Sequence, residues 1–151
     1  MMRKSLLLLL CIAALSCASL QQKRSTSSVE DVLGYINSGQ AEELAAVSQT
    51  PFLLDAEIIL LKEDVTEFWS QIVKVGFQIP DDSTISSTPT TSATYKDFAA
   101  TMELQSFFQK YVSKRAHIVT VETDQFSVYF ITDRVGFGEI KILGMKGPEA
   151  P

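Results

Sequence analysis

The stretch "AHIVTVETDQFSVYFITDRVGFGEIKILGMKG", residues 116–147, decides the fold. It contains three β-rich runs in which apolar residues recur with a period of two. The runs are His117 to Thr123, Phe126 to Thr132 and Phe137 to Met145. The segments between them, Asp124-Gln125 and Asp133 to Gly136, are short enough to form hairpins. The stretch therefore predicts an antiparallel sheet made of consecutive strands.

The chain before this stretch shows helical spacing. Residues 28–39 begin with Ser28 as a cap and end at Gly39, and residues 40–48 predict a second, alanine-rich helix. Residues 61–77 give the clearest helix, with one apolar stripe and two acids in the first turn. The stripe consists of Val65, Phe68, Trp69, Ile72 and Gly76. Helices followed by strands predict an α+β domain with the helices packed on one face of the sheet.

Three further segments complete the predicted domain. Residues 51–60, "PFLLDAEIIL", are bulky and apolar around two acids and are interpreted as one strand. Residues 80–94 are rich in Ser, Thr, Pro and Asp, which predicts a long surface loop; a cover over a cavity mouth is the alternative. Residues 95–115 predict another helix, with a broad apolar face that includes Met102 and Phe108.

The first 17 residues have the three parts of a secretory signal peptide. Arg3 and Lys4 supply the positive start, and the apolar run from Leu6 to Leu15 is followed by small residues. This run is shorter than the roughly 20 apolar residues that a membrane span needs. An ordinary signal peptidase could cut before Ser19, because the preceding residues fit a small-x-small site.

Residues 14–17, "ALSC", also resemble a bacterial lipobox, in which the final cysteine becomes lipidated. Residues 18–28, "ASLQQKRSTSS", favour this interpretation because their polar composition is typical of a flexible tether. The resemblance implies an exported lipoprotein that is anchored in a membrane through Cys17 and faces the periplasm or the cell surface. A soluble secreted or periplasmic protein is the alternative.

Composition narrows the function classes. The chain has 18 acidic and 13 basic residues, and cleavage at Cys17 removes Arg3 and Lys4, which leaves a net charge of −7. Such a domain repels nucleic acid, so no nucleic-acid partner is expected. Cys11 and Cys17 are the only cysteines and His117 is the only histidine, so the sequence predicts no disulfide and no metal site. It also lacks a P-loop and a nucleophile elbow, and no cofactor is predicted.

The order of the elements resembles the NTF2-like (SnoaL-like) superfamily of cone-shaped α+β domains. Two N-terminal helices precede "PFLLDAEIIL", then "LKEDVTEFWSQI" and a terminal sheet, and residues 52–72 carry most of the likeness. The resemblance covers residues 29–147 as a single domain. It implies N-terminal helices packed on a curved antiparallel sheet whose concave face encloses a pocket. Members of the superfamily often dimerise through the sheet, so the resemblance also suggests a homodimer.

Three titratable residues are candidates for catalysis. Asp55 and Glu57 would share one face of an extended strand, about 7 Å apart. His117 could act as a general base if a carboxylate oriented its ring. The resemblance is consistent with this, since enzymes of the superfamily keep carboxylates or a histidine in the pocket. The competing interpretation places the acids on the solvent face of an edge strand and the histidine in ordinary packing.

Three aromatic residues, Trp69, Phe108 and Tyr129, are candidates for binding an apolar ligand. Their competing interpretation is membership of the core. The preferred function is a ligand- or partner-binding envelope protein of unknown specificity, without enzymatic activity. The alternatives are a small isomerase-like or hydrolase-like enzyme with a carboxylate or histidine base, and a purely structural envelope component.

Overall fold

A six-stranded sheet with helices on both faces forms the body of the protein in the computed structural model, which describes residues 28–135 and 138–150. The helices are α1 (Val29–Asn37), α2 (Ala41–Val47), α3 (Lys62–Lys74) and α4 (Met102–Tyr111), and a 3₁₀ turn spans Thr94–Asp97. The strands are β1 (Ser48–Leu54), β2 (Glu57–Ile59), β3 (Thr84–Pro89), β4 (His117–Glu122), β5 (Ser127–Val135) and β6 (Glu139–Glu149). The predicted α+β class is confirmed. None of the helices within these described ranges is long and apolar enough to cross a membrane.

The strand order in the sheet is β2-β1-β6-β5-β4-β3. The three predicted β-rich runs are confirmed as the antiparallel series β4, β5 and β6. The expectation of a wholly antiparallel sheet is wrong at one position, because β1 pairs with β6 in parallel. A parallel pair needs a long connection, and everything between β1 and β6 serves as that connection. Register shifts in the β1–β6 and β5–β6 pairs contribute to the curvature of the sheet.

The first three helices cover one face of the sheet. Ser28 begins α1 through a capping box with Asp31, and Gly39, at a φ of +69°, follows its end, as the sequence predicts. The apolar stripes of these helices pack on alternate residues of β4, β5 and β6 and form the helix-side core. Its largest buried members are Trp69, Phe52, Phe130, Ile36 and Leu44.

The opposite face of the sheet is covered by α4, so the prediction that all helices pack on one face is wrong. Leu104, Phe107 and Phe108 of α4 pack on Leu53, Ile131 and Leu143 to form the outer core. The physical reason is that β1, β5 and β6 carry apolar side chains on both of their faces, so both faces must be shielded from water.

The predicted loop at residues 80–94 contains a strand, and the loop prediction is therefore wrong for β3. All six residues of β3 are exposed, which explains why the composition gives no sign of a core. The strand is held by backbone pairing with β4 along its whole length, from Thr84 opposite Glu122 to Pro89 opposite His117. Backbone pairing of this kind does not require apolar side chains.

The predicted helix at residues 95–115 begins later than expected. Thr101 is its N-cap and accepts a hydrogen bond from the backbone N–H of Leu104 at 3.2 Å, so α4 starts at Met102. Residues 94–97 form the 3₁₀ turn instead, and no helix joins this turn to Thr101. Met102 is 83% exposed and does not belong to the apolar face to which the sequence assigns it.

Two lysines from distant parts of the chain satisfy carbonyl groups at the end of α2. Lys62 Nζ donates to the carbonyl oxygens of Ala45 and Ser48, and Lys141 Nζ lies 3.5 Å from the carbonyl oxygen of Ala46. Cations near a helix C-terminus are favourable because the last carbonyls lack partners within the helix. Burial lowers the pKa of Lys62, and the charge of Lys141 lowers this pKa further.

Candidate functional site

The two acids that the sequence singles out lie at a turn on the protein surface. Residues 51–60 form a hairpin of β1 and β2, not one strand, because Leu54 pairs with Glu57 and the chain reverses at Asp55 and Ala56. Asp55 has a φ of +52°, a conformation that aspartate adopts more easily than most residues. Its Oδ1 accepts a hydrogen bond from the backbone N–H of Gly147 at 2.9 Å. The prediction that Asp55 and Glu57 share one strand face is therefore wrong.

Trp69 is part of the helix-side core. Its side chain is fully buried, and its ring centroid lies 4.8 Å from that of Phe68 and 6.3 Å from that of Phe52. The indole Nε1 donates to Ser48 Oγ at 2.8 Å, and Ser48 Oγ donates in turn to the carbonyl oxygen of Leu44 at 2.8 Å. This arrangement is typical of a core tryptophan whose polar atom is satisfied.

Phe108 is part of the outer core and is 7% exposed. Its ring centroid lies 5.7 Å from that of Phe98 and 5.9 Å from that of Phe107. The aromatic cluster holds α4 to the segment that precedes it. Phe108 thus packs behind Phe98, which lines a neighbouring cavity.

Tyr129 lines a groove on the same face of the sheet as α4. This cavity, the Tyr129 groove, has a volume of about 440 Å³ and lies between strands β3 to β5 and the 3₁₀ turn. Ile118, Thr120 and Tyr129 form its strand-side wall, and Thr120 and Tyr129 are direct neighbours across the β4–β5 pair. The other lining residues are Thr88, Pro89, Thr94, Asp97, Phe98 and Lys146.

Lys146 is the one cation among the lining residues of the Tyr129 groove, and its charge is compensated. Its Nζ forms an ion pair with Glu149 Oε1 at 2.9 Å and donates to the carbonyl oxygen of Asp97 at 2.8 Å. The same nitrogen lies 5.6 Å from the ring centroid of Tyr129. The groove consequently presents mainly aromatic, aliphatic and hydroxyl groups to a ligand, because the positive charge of Lys146 is already paired.

His117 lines a second, smaller cavity at one end of the sheet, the His117 pocket. Its volume is about 180 Å³. The half-buried imidazole shares a hydrogen bond with Ser87, with 3.0 Å between His117 Nδ1 and Ser87 Oγ. The other lining residues are Val29, Arg115, Val119, Thr132, Asp133, Arg134 and Ile140.

The structure does not bring the three titratable candidates together. His117 lies opposite Thr132, whose partner on β6 is Ile142, whereas Asp55 bonds to Gly147 near the other end of β6. The acid that lines the His117 pocket is the buried Asp133, which sequence reasoning missed. Arg115 and Arg134 were also missed, although the predicted hairpin contained the signal. Because 117 pairs with 132, residues 115 and 134 both lie beyond that pair toward the same end of the sheet, Arg115 in the turn before β4 and Arg134 on β5.

Comparison of the sequence with models of known protein families finds no matching family, and comparison with curated proteins finds no match. Within residues 28–135 and 138–150, no group of three or more His, Cys, Asp or Glu side chains is placed to hold a metal ion. The two cavities and their lining residues are therefore the basis for a functional proposal.

Proposed function

We propose that this chain is an exported, lipid-anchored envelope protein with an NTF2-like domain that binds a small apolar ligand in the Tyr129 groove. The proposed location is supported by the signal-like sequence of residues 1–17 and by the lipobox-like position of Cys17, all of which lie outside the described residues. The fold assignment is supported by the order of elements, in which two helices, a hairpin and a third helix precede antiparallel strands. The additional helix α4 and its position on the opposite face are departures from that layout.

The character of the Tyr129 groove carries the proposal of ligand binding. Its volume of about 440 Å³ lies within the usual range of small-molecule sites, which are concave, largely apolar and supplied with a few polar groups. Tyr129, Ile118 and Phe98 offer the apolar contacts. The hydroxyl groups of Thr88 and Thr120 can orient a ligand that carries one or two polar atoms, whereas Thr94 Oγ1 accepts a hydrogen bond from the backbone N–H of Thr91 at 2.8 Å.

The compensated charge of Lys146 favours a neutral ligand. A ligand carboxylate would have to compete with Glu149 for the ammonium group, and a ligand cation would meet that same ammonium. The one acid of the lining, Asp97, is exposed to water, which weakens its attraction for a cation. An uncharged apolar molecule avoids both penalties, because it displaces water from apolar surface without removing a charge from its partner. The class we propose is therefore a neutral, mainly apolar molecule with hydroxyl or carbonyl groups.

A catalytic function receives less support from the arrangement. Asp55 and Glu57 are exposed at a surface hairpin, and the Asp55 carboxylate is engaged by the backbone of Gly147. General acid–base catalysis requires such a group within hydrogen-bond reach of a bound substrate. None of Asp55, Glu57 and His117 lines the Tyr129 groove, and its one acid, Asp97, is exposed, so we favour binding without catalysis there.

A charge placed in the Tyr129 groove should strongly weaken the binding of a neutral apolar probe. We expect the fluorescence of Nile red to rise to a plateau as the wild-type domain is added. In Thr120→Lys the apparent affinity for Nile red should be at least tenfold lower. The reason is that a lysine at position 120 would occupy part of the groove and bring a hydrated ammonium group against the apolar probe. The measurement is a fluorescence titration, with circular dichroism to confirm that each variant is folded.

Gln109→Lys is the matched control for this titration. Gln109 lies on α4, is exposed, and is outside the lining of the groove. It adds the same charge to the same side of the sheet and should leave the affinity within twofold of wild type. Equal losses in the two variants, or unchanged binding in Thr120→Lys, would place the probe elsewhere, for example at the exposed Leu60 and Leu61.

The lipid anchor is tested separately from the groove. Metabolic labelling of a bacterial host that produces the full chain should incorporate radioactive palmitate into the wild-type protein and none into Cys17→Ala. Acylation requires this cysteine because lipobox processing makes it the first residue of the mature chain. Cys11→Ala is the matched control and should keep the label. Absence of label in the wild type would instead favour cleavage before Ser19 and a soluble exported protein.

A homodimer through the sheet remains a proposal from the family resemblance. The outer core of α4 covers Leu53, Ile131 and Leu143 on that face, so a partner would have to use the region of the Tyr129 groove. Such a dimer would compete with the ligand. Probe affinity should then fall as protein concentration rises, which the same titration can detect.

A further inference from the structure

The His117 pocket gathers the arginines of an otherwise acidic domain. The described residues contain all 18 acidic side chains of the chain but only nine basic ones, of which Arg115 and Arg134 are the only arginines. Both of these arginines line the His117 pocket, together with the only histidine of the sequence. In a domain with twice as many acids as bases, two guanidinium groups around a 180 Å³ cavity are a local reversal of charge.

The pairing of β4 and β5 sets the two arginines beside each other. Thr132 lies opposite His117 in the register. Arg134 is two residues after Thr132 on β5, and Arg115 is two residues before His117, in the turn that precedes β4, so both lie toward the same end of the sheet. Arg115 Nη2 lies 3.5 Å from the carbonyl oxygen of Arg134, and Arg134 Nη1 donates to the carbonyl oxygen of Gly138 at 3.1 Å. These contacts orient planar groups that carry five N–H donors each and that match the two oxygens of a carboxylate.

Asp133 also lines the pocket, and its negative charge offsets part of the positive charge of the arginines. Its Oδ1 accepts a hydrogen bond from the backbone N–H of Arg134 at 2.7 Å, which directs part of the carboxylate toward the chain itself. One carboxylate faces two guanidinium groups, so the lining keeps a positive balance. The Ser87–His117 pair and the Thr132 hydroxyl add further hydrogen-bonding groups to the same cavity.

The remaining wall of the pocket is apolar and small. Val29, Val119 and Ile140 line it, and Val119 and Ile140 belong to the helix-side core. A volume of about 180 Å³ corresponds to roughly six water molecules at about 30 Å³ each. A molecule that fills this space has few heavy atoms, with an anionic end for the arginines and a short hydrocarbon end for the aliphatic wall.

We propose that the His117 pocket binds a small monocarboxylate with a short aliphatic tail. The carboxylate lies between Arg115 and Arg134, within reach of the Ser87–His117 pair, and the tail contacts Val29, Val119 and Ile140. This site is separate from the Tyr129 groove, which the neutral-ligand proposal uses. Arg115 and His117 are binding residues in this proposal, and no reaction is assigned to them.

Titration with butyrate, n-butanol and n-butylamine tests the charge requirement, because the three probes share a four-carbon chain. We expect backbone amide shifts near residues 115–119 and 132–134 to titrate with butyrate, and the affinity for n-butanol and n-butylamine to be at least fivefold weaker. Equal affinity for butyrate and n-butanol would overturn the proposal. Tighter binding of inorganic phosphate than of butyrate would overturn the preference for carboxylates.

Arg115→Gln should weaken butyrate at least fivefold, and Lys114→Gln is its matched control. Both side chains are exposed, adjacent in sequence and lose the same charge, but Lys114 is outside the lining of the pocket. Lys114→Gln should stay within twofold of wild type, and equal effects in the two variants would indicate a diffuse charge effect only. Arg115→Lys, which keeps the charge but loses the planar guanidinium group, should give an intermediate loss of affinity for butyrate.

Thr120→Lys should leave butyrate binding unchanged, so failure of the groove proposal and failure of the pocket proposal can be distinguished.

Discussion

Replacement of Trp69 by alanine is expected to lower the free energy of unfolding by about 3–5 kcal/mol, the range for removing a large buried aromatic side chain. Trp69 is fully buried between Phe52 and Phe68 and ties α3 to the start of β1 through its hydrogen bond to Ser48. The substitution leaves a cavity where α3 meets the sheet and removes the indole donor from Ser48 Oγ. Urea unfolding followed by circular dichroism measures the effect.

Met102→Ala is the control for this prediction, because it also shortens a large apolar residue on a helix. Met102 is 83% exposed, so its loss should change the free energy of unfolding by no more than about 0.5 kcal/mol. Trp69→Phe, which keeps a ring but removes the donor to Ser48, should lie between the two. A loss below about 1.5 kcal/mol in Trp69→Ala, well under the usual cavity cost, would contradict the packing described for this core.

Gly144→Ala is expected to lower the free energy of unfolding by about 3 kcal/mol, at the upper end of the range for overpacked sites. Gly144 lies opposite Leu53 in the parallel β1–β6 pair. A Cβ atom at Gly144 would lie 2.6 Å from the carbonyl oxygen of Leu53 and 2.9 Å from its Cβ. Neither atom is at the end of a flexible side chain, so the two strands would have to separate.

Gly34→Ala provides the same chemical change with the opposite expected sign. Gly34 is in the middle of α1, and a Cβ there meets no atom within 4 Å. Alanine should raise the free energy of unfolding by about 0.5–1 kcal/mol, because glycine loses more backbone freedom when a helix forms. If both alanine variants were equally stable, the close approach of β1 to β6 would not be a real constraint on the fold.

The parts of the fold that could be predicted are those in which side-chain pattern and backbone pairing agree. Residues 116–147 alternate clearly, and the structure forms β4, β5 and β6 there. The helix at residues 61–77 was predicted from one apolar stripe, and α3 buries Val65 and Trp69 of that stripe. Ser28 was predicted as a cap from its position before two acids, and its side chain accepts from the backbone of Asp31.

The predictions that failed concern segments whose structure is set by backbone pairing or by distant contacts, without a local side-chain pattern. The strand β3 exposes all its side chains, so its Ser and Thr residues resemble a loop in composition. The β1–β2 hairpin turns at Asp55 and Ala56, a pair without the glycine that usually marks a two-residue turn. The position of α4 on the second face depends on contacts with Leu53, Ile131 and Leu143, which are distant in sequence.

The candidate sites were predictable only in part, for a similar reason. Tyr129 and His117 were singled out by residue type, and each of them lines a cavity. Their neighbours come from other strands and from the 3₁₀ turn, so the composition of either cavity depends on the register of the sheet. Trp69 and Phe108 could not be separated from Tyr129 by spacing, because aromatic residues at regular spacing serve cores and cavities alike.

The way in which α4 is attached to the sheet has a consequence for how this protein can diversify. Residue 89 pairs with residue 117, and the backbone N–H of Thr90 donates to the carbonyl oxygen of Ala116 at 2.9 Å, so the chain leaves the β3–β4 ladder and rejoins it at one point. Residues 91–115 are therefore one contiguous, exchangeable cassette, whose replacement must still cover Leu53, Ile131 and Leu143. Because Thr94, Asp97 and Phe98 of the groove wall belong to it, exchanging this single contiguous cassette would alter ligand preference while the sheet and its helix-side core stayed unchanged.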